Sequence, residues 1–128
     1  MKLRVLSAGV VAGLLLSSPA FATDQYIGEV RLFASNFCPV GWIPADGRPL
    51  PISQYTPLFS LVGIFYGGDG KKTFNLPNLQ ARAPVSSTAT EPVGTVFGEV
   101  PRSARPVAGN LISMTWCIAF LGVFPSRN

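Results

Sequence analysis

The stretch 111–120 carries the clearest pattern in the chain. Ile112, Met114, Trp116, Ile118 and Phe120 alternate there with Leu111, Ser113, Thr115, Cys117 and Ala119. Successive side chains of a strand point to opposite faces, so large apolar groups collect on one face and mostly small ones on the other. A strand of this kind is packed on both sides and belongs in a core. Its small face leaves room for a disulfide at Cys117.

The rest of the chain is punctuated into short pieces. Residues 26–33 begin a strand-like alternation, with Val30 and Leu32 on one side and Glu29 and Arg31 on the other. Residues 36–41 read as a turn. Pro44, Asp46-Gly47, Pro49 and Pro51 break up the segment 42–51. Asp-Gly between short extended pieces is a hairpin signal, and the prolines confine those pieces to edges or irregular backbone. A short helix is expected over 57–62, capped by Ser53 or Thr56, opened by Pro57 and stopped by Gly63. Leu58, Phe59, Leu61 and Val62 form its buried face. Phe59, Phe65, Tyr66 and Phe74 read as core packing. The segment 83–110 is rich in Pro, Ser, Thr, Ala and Gly and reads as an exposed loop, with a short strand within 93–100. The fold class is therefore α+β, mostly short strands and ordered loops with one short helix.

The N-terminus shows a different organisation. Lys2 and Arg4 precede an apolar run over 5–16, and Ala20-Phe21-Ala22 follows Ser17, Ser18 and Pro19. That order reads as a secretory signal peptide at 1–22. The apolar run is shorter than the ~20 residues that span a bilayer, which argues against a membrane anchor. A single domain over 23–128 remains, expected in the periplasm, at the cell surface or in the medium, with no membrane insertion after cleavage. An even cysteine count in an exported chain favours a Cys38–Cys117 disulfide. Two buried thiols or an intermolecular bridge are the alternatives.

Composition removes several functional classes. The chain has no histidine, so histidine-dependent catalysis, histidine metal sites and titration near neutral pH are excluded. Two distant cysteines make no zinc site without further ligands. The charges after residue 22 are Arg31, Arg48, Lys71, Lys72, Arg82, Arg102, Arg105 and Arg127 against Asp24, Glu29, Asp46, Asp69, Glu91 and Glu99. Their small imbalance and scatter give no nucleic-acid surface. The run from Gly67 to Thr73 is superficially like a phosphate loop, but Phe65 stands at its first Gly position and Lys72 at its Ser/Thr position. No catalytic residue, cofactor site or metal site is expected. Gly67, Gly68, Asp69 and Gly70 read as a structural turn with positive φ at the glycines; a ligand loop with Asp69 as acceptor is the competing reading.

Taken together, these pieces resemble the phage tail collar domain, including the bacterial group called microcystin-dependent proteins. The matching residues begin with Gly28-Glu29-Val30-Arg31 and Phe33, Pro39 with Gly41-Trp42, and Asp46-Gly47 with Leu50-Pro51-Ile52-Ser53. They continue with Leu58-Phe59, Leu61 and Gly63, then Tyr66-Gly67-Gly68-Asp69-Gly70 and Thr73-Phe74. Leu76-Pro77-Asn78-Leu79 with Arg82 follows, and Trp116-Cys117-Ile118-Ala119 with Gly122 and the run from Phe124 to Asn128 closes the match. The resemblance implies a small compact domain of tail fibres or tail tips, commonly trimeric, serving attachment rather than catalysis. There are three departures. Ala81 stands where the family usually has Gly. The loop after Arg82 looks shortened and lacks the histidines of longer relatives, so metal binding does not carry over. A signal peptide is unexpected in a phage structural gene and suggests an exported bacterial protein.

The resulting expectation is a secreted, non-enzymatic structural or adhesion module that self-associates, with a trimer as the implied assembly. The alternative is a monomeric module that binds surface carbohydrate, which rests on fold analogy. N-terminal sequencing of the exported protein should start at Thr23; recovery of an uncleaved chain from the inner membrane would contradict the signal-peptide reading.

Overall fold

A computed structural model describes residues 24–98 and 112–127. The signal-peptide reading of 1–22 and the loop and strand expectations for 99–111 lie outside the described residues. Five strands and one helix run in the order β1 (Val30–Phe33), β2 (Trp42–Pro44), β3 (Pro49–Pro51), α1 (Thr56–Val62), β4 (Thr73–Asn75) and β5 (Thr115–Ala119). They form a three-stranded antiparallel sheet ordered β1-β5-β2 and a two-stranded antiparallel sheet of β3 and β4. This is the expected α+β class of short strands with one short helix.

Alternation on β5 decides how the layers stack. Ile118 lies opposite Val30 on β1 and Ile43 on β2. That cross-strand row faces the main core, where Ile27, Leu50, Leu58, Val62, Phe74 and Leu76 are buried with Ile118. Leu50 and Phe74 are direct partners in the second sheet, so one pair caps the core from the other side. Helix α1 contributes Leu58 and Val62 from one face. Partly buried Phe59 and Leu61 pack against the same cluster, as their spacing predicts. Phe59 meets Phe74 and Tyr55 meets Phe120, each with ring centroids 5.4 Å apart.

The opposite face of β5 builds a second, smaller cluster. Cys117 and Ala119 are fully buried there beside Trp42, with Phe33 and Cys38 packed against them. Phe33 approaches Trp42 edge-on at 5.3 Å, and the Arg31 guanidinium lies 5.4 Å from the Trp42 ring centre. The β1 face read as polar is thus an amphipathic cover: the stem of Arg31 and the ring of Phe33 roof the tryptophan. Leu32, on the main-core side of the alternation, is 44% exposed.

Three local expectations are corrected. Asp46-Gly47 makes a turn but not a hairpin, because β2 pairs with β5 and β3 pairs with β4. The turn carries the chain from one sheet to the other, while the prolines stay on edge strands as their missing N–H requires. Strand β5 is shorter than the alternation: Ile112 is 86% and Met114 41% exposed, since the partner β1 ends opposite Thr115. At the helix start Tyr55 occupies the cap without a side-chain hydrogen bond, and the Thr56 hydroxyl donates backwards to the Ile52 carbonyl at 2.9 Å. Pro57 does lie in the first turn, and Gly63 terminates the helix with its N–H on the Phe59 carbonyl. Residues 93–98 hold no strand. Among the described residues no helix is long and apolar enough to cross a membrane.

A Cys38–Cys117 disulfide ties the turn before β2 to the middle of β5, with Cα atoms 5.9 Å apart. The Thr115 hydroxyl reinforces that junction by donating to the Ser35 carbonyl at 2.6 Å. The bond spans a sequence separation of 79, and closing such a loop in the unfolded chain is worth about 4 kcal/mol in the chain-entropy account. A Cys38→Ser/Cys117→Ser variant should therefore lose about 2–5 kcal/mol in denaturant unfolding. A non-reducing peptide map should recover the two cysteines in one linked fragment; free labelling of both thiols without reductant would remove the basis of the expectation.

Candidate functional site

The residues singled out from the sequence separate into two groups. Cys38, Trp42 and Cys117 meet in the smaller cluster, and Gly41 adjoins it. The Gly41 carbonyl receives the N–H groups of Phe120 and Leu121. These residues hold the sheet together and offer no open site. Asp46, Gly47, Tyr66, Gly67, Gly68, Asp69, Gly70, Pro77 and Arg82 belong to the turns at the other end.

Two aspartates organise those turns through different partners. Asp46 grips Arg48 with both carboxylate oxygens, Nε to Oδ1 at 2.9 Å and Nη2 to Oδ2 at 2.6 Å. The Arg48 side chain holds the Asp46 carboxyl below the usual carboxylate range. Asp46 also forms an antiparallel bridge with Asn78, and the Leu79 N–H reaches the Ala45 carbonyl at 2.8 Å. The segment 76–79 is thereby laid along the Asp46-Gly47 turn. Pro77 is buried in it.

Asp69 works mainly on backbone amides, with the Thr73 hydroxyl also donating to its Oδ1 at 3.4 Å. Its Oδ1 accepts the N–H groups of Lys71, Lys72 and Thr73 at 2.9, 2.9 and 2.8 Å. Gly67, Gly68 and Gly70 have φ of 111°, 100° and 67°, in the region that favours glycine. A Cβ on Gly68 would come within 2.5 Å of the Phe74 Cα, so that position admits no side chain. With Oδ1 committed to three amides, the turn is a scaffold for β4.

The same end carries a groove of about 250 Å³ lined by Gly47, Phe65, Tyr66, Leu76, Asn78, Arg82, Gly94 and Val96. Phe65 is 59% and Tyr66 38% exposed, which corrects their reading as core residues. Both follow α1 in a turn that lies along β4, where the Asn75 N–H donates to the Gly67 carbonyl at 3.0 Å, and they line a groove instead of filling the interior. Partial burial raises the Tyr66 hydroxyl pKa. Arg82 is aimed back by a tight turn in which the Asn78 Oδ1 accepts the Gln80 N–H and the Arg82 Nη1 donates to the Asn78 carbonyl at 3.2 Å. Within it Ala81 has φ 54°, the one non-glycine residue with positive φ among those described. Phe65, Leu76, Asn78, Gly94 and Val96 were not anticipated as site residues. Only the Pro-Asn-Leu run hinted at Asn78, and nothing local marked Gly94. A second cleft, between 34–36 and 113–115, is lined by Ser35, Asn36, Ser113 and Met114. Among the described residues no group of three His, Cys, Asp or Glu side chains is placed to hold a metal ion.

The Asp69 turn yields a pH expectation. Three amides stabilise the charged form and lower its pKa from 3.8 to about 2. A lowered folded-state pKa gives stability that is present above 3.8 and lost as pH falls towards about 2. Asp69→Asn keeps an acceptor oxygen but no charge, so it should unfold at lower denaturant than the wild type at neutral pH. The gap should close as pH drops through that window, because a protonated Asp69 then resembles the amide. Denaturant midpoints measured against pH check this, and a gap that persists in acid would contradict it.

No curated protein matches the chain. The family model described as Phage Tail Collar Domain matches residues 28–84, which contain β1 to β4, α1, both aspartate turns and the Arg82 side of the groove. Over the segment 28–84 the chain is therefore similar to the phage tail collar domain, a structural family.

Proposed function

We propose that this chain is an exported, non-enzymatic attachment module that works as a homo-oligomer, with a trimer as the expected assembly. The collar segment supports a fibre-like structural role. The observation that carries self-association is the apolar surface at one end of the three-stranded sheet. Val123 bridges Tyr26, Leu121 bonds to the Gly41 carbonyl, and Val40 precedes that glycine. Tyr26, Leu121, Val123 and the neighbouring Phe124 are each about half exposed, and Val40 is 96% exposed. Clustered apolar groups of this kind on a small domain mark an interaction surface. Repetition of the module would turn weak single contacts with a cell surface into useful attachment.

Export follows from the leader-like order of residues 2–22 and suits a disulfide that closes most of the described chain. Sedimentation of the purified protein across a wide concentration range should give a trimer mass, and Val40→Asp with Phe124→Ser should shift it to monomer. A monomer at every concentration would overturn self-association and leave the monomeric glycan-binding module as the better reading.

A further inference from the structure

The groove beside Arg82 shares no lining residue with the apolar association surface, and its chemistry is of another kind. Its floor and one wall are apolar, from Leu76, Phe65 and Tyr66. Its polar groups are mostly unused donors. Arg82 makes one hydrogen bond, from Nη1 to the Asn78 carbonyl, and it pairs with no carboxylate among the described residues. The Tyr66 hydroxyl and the Asn78 amide nitrogen make no hydrogen bond among those described, the Asn78 Oδ1 being taken by Gln80. Asp46, which precedes the groove residue Gly47, is occupied by Arg48 on both oxygens. A guanidinium with no carboxylate partner among the described residues thus lines the same groove as two exposed aromatic rings.

We propose that this groove binds an acidic saccharide, its carboxylate on Arg82 and its sugar ring against Phe65 and Tyr66. The guanidinium fork matches a carboxylate with two parallel hydrogen bonds. The apolar C–H face of a pyranose suits the aromatic wall, and Asn78 and Tyr66 supply donors for ring hydroxyls. At about 250 Å³ the groove is slightly smaller than the usual pocket of ~300–1,000 Å³, which fits one sugar unit of a longer glycan. Its far wall is built by Gly94. A Cβ there would collide with the Phe65 carbonyl, and φ is 92°, so only glycine lets the loop close against the aromatic residue.

The test is titration of the mature protein with galacturonic acid oligomers, neutral galactose oligomers and inorganic phosphate, followed by amide chemical shifts and calorimetry. The acidic oligomer should bind with shifts at Tyr66, Asn78 and Gly94, and the neutral one about tenfold or more weakly, as expected for a lost charged hydrogen bond. Arg82→Gln should remove that preference, and Arg82→Lys should retain part of it. Gly94→Val should weaken both sugars while leaving the circular dichroism and the native mass unchanged. It carries the test if the Arg82 variants fold poorly. Equal binding of acidic and neutral oligomers, unchanged binding in Arg82→Gln, or binding of phosphate without sugar would each overturn the proposal. None of those results bears on the native mass, so failure here is separable from failure of self-association.

Discussion

Strand β5 is hydrogen-bonded on both flanks, to β1 and to β2, and each layer of the domain is placed relative to it. Its Ile118 side seals the larger core and its Cys117 side nucleates the smaller one. The two outer strands lie early in the chain and the central one lies more than seventy residues after β2. The sheet is therefore built from contacts far apart in sequence, a topology that folds slowly because loop closure precedes the reward. The disulfide acts on the same difficulty from the unfolded side. The collar segment ends at 84, before β5 begins, so its β1 and β2 depend on a strand outside the matched region.

Legibility in the sequence followed the range of the interactions involved. The alternation at 115–119 was readable because both faces of that strand are constrained, and alternation is a local signature of two-sided burial. It over-extended to Ile112 because the pattern persists where the partner strand has already ended. Asp46-Gly47 announced a turn correctly, since turn chemistry is local. Which strands the turn joins is a matter of pairing across the whole chain, and the hairpin reading failed there. Phe65 and Tyr66 show the same limit: their type signals hydrophobicity but not whether a core lies within reach. Arg82 was legible as a motif residue, whereas Gly94 acquires meaning only when a distant loop meets the Phe65 backbone.

The two aspartate turns show one side-chain type serving two structural ends. Asp46 spends its charge on a guanidinium and fixes the crossing between sheets. Asp69 spends its charge on peptide dipoles and fixes the entry to β4. Exposed ion pairs contribute modestly, so the first is chiefly a device of geometry. In the second, the backbone amides would have no intramolecular partner without the carboxylate, and the turn's shape depends on it directly.

Ala81 carries the left-handed conformation that glycine adopts more readily. Holding alanine there costs about 1–2 kcal/mol in the folded state. Alanine also narrows the ensemble of the unfolded chain, which returns about 0.4–1 kcal/mol. The cost exceeds the return, so alanine at this place carries a small net strain. It also brings stiffness: a methyl group in a strained well leaves the backbone fewer neighbouring conformations than a bare glycine would. Arg82 then inherits a narrower cone of directions than it would after glycine, and the strained residue sharpens the aim of the one beside it.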